Sequence, residues 1–105
     1  MEHSKMFEML ENHYESIELY EQGQRDIRIK SFMFWLDLEQ VNSDFHNFGK
    51  ISLLDEELPI VQGWINKAIG NRNIPQKTRE DIALAGVQFA SMVESINNSH
   101  ISTIN

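Results

Sequence analysis

The stretch DIRIKSFMFWLDLEQV, residues 26–41, decides how this chain folds. Its opening alternates Ile27 and Ile29 with Arg28 and Lys30, which is the period of a strand. The continuation has a different character. Residues 31–41, SFMFWLDLEQV, run on without Gly or Pro and are apolar nearly all round. So long an uninterrupted run reads as helix, and a helix apolar on most sides is central and buried. The spacing predicts this element over residues 25–48, with Trp35 in the core. A break is expected at Asn42, Ser43 and Asp44, whose side chains favour turns. Residues 25–31 are compatible with either a strand or a helical start.

On the amino-terminal side, Phe7, Leu10, Tyr14 and Ile17 recur at three, four and three, which predicts a helix over residues 4–22. On the other side, Val61, Trp64, Ile65 and Ala68 predict a third helix over 55–69. There Ser52 and Asp55 fit a capping box and Pro59 falls in the second turn. Trp64 belongs to the core or to the rim of a pocket. A fourth helix starts at Pro75, or at Thr78 where Asp81 completes a capping box. Its stripe of Ile82, Gly86, Phe89, Val93 and Ile96 is the most regular in the chain. Ala83, Gly86 and Ala90 are small enough for another helix to cross closely. Gly23, Gly49 and Gly70 each follow an apolar-periodic segment, where a left-handed helix terminus sits. No Asn-Gly or Asp-Gly hairpin pair occurs. The expected fold is all-α, a compact single-domain bundle of about four helices over residues 1–97. Residues 98–105 hold no apolar pattern and are expected to form a flexible tail.

A chain of 105 residues suits one domain with one modest core. It has no cysteine, which excludes disulfides and thiolate metal sites. The opening MEHSKMFEML lacks the apolar stretch of a signal peptide, and the longest apolar run, residues 32–36, is too short to cross a bilayer. The chain therefore reads as cytoplasmic, without a membrane partner. Its net charge of −7 is unevenly spread. Residues 1–22 carry six carboxylates and one lysine, whereas 23–50 carry four groups of each sign. Such a field repels nucleic acid and anionic lipid and favours encounter with a basic protein.

Four of those carboxylates, Glu8, Glu11, Glu15 and Glu18, recur one residue after the core stripe. Each neighbouring like-charge pair costs about 0.2–0.5 kcal/mol in an isolated helix. The helix dipole compensates Glu8 better than Glu15 or Glu18. Arg25, Arg28 and Lys30 of the second helix are the cations that would neutralise part of the ribbon from within. Left open, it is a docking face for a cationic partner, with Tyr14 as an aromatic anchor when it is not absorbed by the core. The triplet Asp55, Glu56 and Glu57 extends that face if the first and third helices are neighbours. The pairs Glu8/Glu11 and Glu15/Glu18 also have the spacing by which helical nucleotide hydrolases hold magnesium. That chemistry needs a second acidic pair on a facing helix, and no Glu-x-x-Glu or Glu-x-x-Asp follows residue 22. No His is preceded by Glu at three residues, and no phosphate loop or serine elbow occurs. Neither a metal, a cofactor nor an enzymatic activity is expected.

Residues 78–98, TREDIALAGVQFASMVESINN, resemble the helix-turn-helix of bacterial repressors through Thr78, Asp81, Ile82, Ala83, Ala85, Gly86 and Val87. The resemblance implies a transcription regulator. One residue is missing between Ala83 and the Ala-Gly pair, which turns all that follows by about 100°. The segment where DNA would be read, 88–95, has Glu94 and no base. The segment reads as one continuous helix. The leading expectation is a small acidic inhibitor of the immunity-protein or antitoxin kind, which occludes the substrate cleft of a basic nuclease. A regulator or host-modulating adaptor that uses the last helix is the alternative.

Overall fold

Helix α1 spans Lys5–Leu19, α2 Ile27–Phe48, α3 Leu58–Ile69 and α4 Gln76–Ile104, and a 3-10 turn at Asp55–Glu57 leads into α3. The computed structural model describes residues 3–19 and 27–104, with side chains over 3–17 and 28–97. Among the described residues there is no strand, and the protein is an all-α bundle. Among them, too, no helix is long and apolar enough to cross a membrane.

The periodic stripes explain the packing. Phe7, Leu10, Tyr14 and Ile17 of α1 are all buried. They meet Phe34 and Leu38 of α2 and Val61 and Ile65 of α3, while Ile82 and Phe89 of α4 close the same core. α2 packs chiefly on α4 and α1, and α3 on α4 and α1. α4 rises about 1.5 Å per residue, so its 29 residues account for most of the 51 Å long axis. Gly86 lets α3 and α4 approach: an added Cβ there would lie 2.6 Å from Cγ2 of Ile65.

α2 is helical from Ile27, so the alternating opening is not a strand. Nor does the helix break at residues 42–44. Asn42 reaches across to Gln88 of α4 at 3.0 Å, Gln40 bonds Asp44 at 2.9 Å and Asn47 bonds Ser43 at 3.4 Å. These side chains spend their polar groups along or between helices and no longer compete with the backbone. The helix stops at Gly49, whose φ of 70° is the left-handed terminus expected there and whose N–H bonds Phe45 O at 2.7 Å. Gly70 is different, with a right-handed φ of −83°. Gly23 lies outside the described residues.

Further expectations are corrected. α2 is not covered all round: Ile29, Phe32, Met33 and Leu36 are exposed, because its two main neighbours cover only the opposite side. Trp35 is half-buried and stacks on Phe32 at 5.8 Å. The third helical segment is not capped by Ser52 and Asp55; Glu57 accepts from Leu54 N–H across the 3-10 turn that precedes α3, and Pro59 lies in the first turn of α3. α4 begins at Gln76, beside Pro75, and its helical backbone continues through Ile104, past the end predicted at residue 97.

Ser31 is fully buried in α2 and its hydroxyl has no hydrogen-bond partner among the described residues. An unsatisfied buried hydroxyl costs about 1–3 kcal/mol, and alanine is the better helix former. Ser31→Ala is therefore expected to raise the unfolding free energy by about 1 kcal/mol, read from urea unfolding curves.

Candidate functional site

The α1 ribbon is placed by its neighbours. On one flank of α1, His13 Nε2 and Asp37 Oδ2 of α2 approach to 2.6 Å. Burial raises the Asp37 carboxyl above its ordinary range, and the His13 ring beside it pulls it part of the way back. Nearer the core, Phe7 and Tyr14 pack on the Trp64 ring of α3, with centroids 4.9 and 5.3 Å apart. α1 and α3 are thus neighbours. A step of about 100° from Phe7, Leu10 and Tyr14, away from His13, brings up Glu8, Glu11 and Glu15.

Glu8 and Glu15 are exposed and Glu11 is half-buried. Among the described residues, the ion pairs are His13–Asp37 and His3–Glu57, so none of these three glutamates is neutralised by a lysine or arginine there. Geometry explains it: Arg28 and Lys30 stand on α2, beyond the His13 flank, and the glutamates turn the other way. The side chains of Glu18 and Arg25 lie outside the described ones. Tyr14 is 9% exposed and stacks on Trp64, so it belongs to the core and is not an anchor on the surface.

The triplet 55–57 is not one patch. Glu56 faces water. Asp55 borders two clefts beside α4. One, of about 290 Å³, adjoins Phe45 and Ile96; the other, of about 420 Å³, adjoins Pro59 and Val93. Glu57 is fully buried, which removes it from any docking face. Its carboxylate is a structural clasp. Oε1 accepts from Leu54 N–H at 2.8 Å and from Ser4 Oγ at 2.7 Å, and Oε2 accepts from Ser4 N–H at 2.9 Å with His3 Nδ1 at 3.1 Å. Ser4 Oγ in turn accepts from Phe7 N–H at 3.1 Å and so caps α1. Burial pushes the Glu57 carboxyl up, but the Leu54 and Ser4 donors, helped by His3, outweigh it and hold it below its ordinary value.

Sequence reasoning missed both the clasp and the His13–Asp37 pair. A capping box shows itself as Ser or Thr three residues before Glu. Here the position three before Glu57 is Leu54, and the serine that completes the arrangement is Ser4. Among the described residues no three His, Asp or Glu side chains come together in a way that would hold a metal ion. α4 passes through residues 83–87 without a turn, so the repressor-like segment is one helix and not two. Compared with known protein families, with curated proteins and with solved structures, the chain matches none.

Proposed function

We propose that this chain is a cytoplasmic binding protein that docks a basic partner with the outer flank of α1, in the manner of an immunity protein or antitoxin that covers the substrate cleft of a nuclease. One observation carries the reading: Glu8, Glu11 and Glu15 stand together on one flank with no ion pair among the described residues. Left unneutralised, these carboxylates raise local electrostatic attraction and the rate of encounter with a cleft that binds phosphates. Glu56 is the member of the second acidic group that remains exposed.

The test is stopped-flow association with a basic ribonuclease or deoxyribonuclease captured by this protein from its native host. Glu11→Lys with Glu15→Lys is expected to lower the association rate by about an order of magnitude or more at low salt. Added salt should slow the unsubstituted protein towards the same rate. An unchanged rate at low salt rejects the steering role. A second reading has its own support. Leu84 and Val87 of α4 are 61 and 68% exposed at helical spacing, a surface that suits an adaptor. Loss of partner capture by Leu84→Glu with Val87→Glu, but not by the α1 substitutions, would favour it.

A further inference from the structure

α2 presents to solvent an apolar stripe that its own bundle leaves uncovered. Ile29, Phe32, Met33 and Leu36 are 59, 49, 40 and 41% exposed. At these positions they fall within an arc of about 100° on a helix. The arc lies opposite the side where Phe34, Leu38 and Val41 are buried. Met9 of α1 borders it beside Leu36. Single exposed apolar residues are ordinary, whereas four at this spacing form a seam for another helix.

The charges beside the seam indicate which helix fits. Arg28 and Glu39, both exposed, stand on one flank; Lys30 and Asp37, both half-buried, stand on the other. Taking the level midway between Met33 and Phe34 as a mirror, Arg28 and Glu39 lie equally far on either side, and so do Lys30 and Asp37. Each flank thus carries a cation and a carboxylate related by one centre.

We propose that two copies of this chain associate through α2, antiparallel, about a two-fold axis that runs between the two helices at the level midway between Met33 and Phe34. In that arrangement each flank meets the same flank of the second copy. Arg28 then faces Glu39 of the second copy, twice, and Lys30 comes level with Asp37. The apolar side chains of the two copies alternate in height and interdigitate. A parallel pair would instead set Arg28 beside Lys30 and Asp37 beside Glu39, with like charges opposed at both ends. Asp37 already holds His13 at 2.6 Å, so Arg28 and Glu39 set the register. The glutamate flank of α1 turns away from this seam and stays open in the dimer. A seam of this size is small beside a standard interface, and the expected Kd is about 10 µM.

Sedimentation equilibrium of the full chain from about 1 to 200 µM should show the mass doubling around that Kd. Arg28→Glu should weaken association by at least about tenfold, and Arg28→Glu with Glu39→Arg should restore it. The chain has no native cysteine, so orientation is open to direct test. Met33→Cys should form an intermolecular disulfide under mild oxidation, and Val87→Cys on α4 should not. The substituted side chains are all exposed in the protomer, and circular dichroism should confirm unchanged helicity. A monomer at every concentration overturns the proposal. So does a dimer indifferent to Arg28→Glu, a charge swap without rescue, or cross-linking through Val87→Cys in place of Met33→Cys.

Discussion

Gly86→Leu is expected to lower the unfolding free energy by about 3 kcal/mol or more, and Gly86→Ala by about 1–2 kcal/mol, in urea unfolding. The reason is a single approach. An added Cβ at residue 86 would stand 2.6 Å from Cγ2 of Ile65, well inside van der Waals contact. Ile65 is fully buried in α3, and a β-branched side chain in a helix has essentially one rotamer, so that methyl cannot swing aside. The helices must part, and the core between them loses packing. Helix propensity opposes this by about 1 kcal/mol for Gly to Ala, too little to reverse the sign. Gly63 is the control. It lies within α3, exposed, with nothing within 4 Å of an added Cβ. Gly63→Ala should therefore stabilise by about 0.5–1 kcal/mol. If both alanine variants gained stability, the close crossing would be wrong.

Glu57→Ala should cost about 3 kcal/mol or more, the second large effect. It leaves the N–H groups of Ser4 and Leu54 without their acceptor in a part-buried site, and it frees Ser4 Oγ from the bond that orients it towards Phe7. The ends of α1 and α3 come loose together. The pH dependence has a definite sign. The folded carboxyl is held below the ordinary value of 4.5, so the unfolded chain takes up its proton first as pH falls. The clasp's contribution is fully present above that ordinary value and is lost as pH drops through the lower, folded one. Glu57→Gln keeps one acceptor oxygen but cannot titrate. Its thermal midpoint should fall less steeply than that of the unsubstituted protein on acidification below 4.5. Parallel curves would show that the buried carboxylate is not what acid removes.

How much of this was legible beforehand follows from the range of each interaction. The stripe Phe7, Leu10, Tyr14, Ile17 is a matter of periodicity within one helix, and all four are buried. Gly86 was readable as a crossing point for the same reason: a small residue on an otherwise bulky stripe. Residues 42–44 misled because turn chemistry is local, whereas Asn42 is satisfied by Gln88, on a different helix. The α2 run was apolar nearly all round, but burial depends on how many helices surround it, and composition does not count neighbours. The same limit applies to the acidic groups. Glu8, Glu11 and Glu15 share a flank because helical geometry requires it. Asp55, Glu56 and Glu57 are adjacent in sequence yet point three ways, and only packing distinguishes the clasp from its exposed neighbour.

The Glu57 clasp also bears on the order in which the molecule takes shape as it is synthesised. The acceptor of Ser4 is a side chain translated 53 residues after it. At about 5–20 residues per second, that gap is several seconds. The start of the acidic helix is therefore made well before the carboxylate that clasps it. During that interval its apolar stripe has no α3 to lie on, which leaves the nascent chain open to chaperones and to premature encounters.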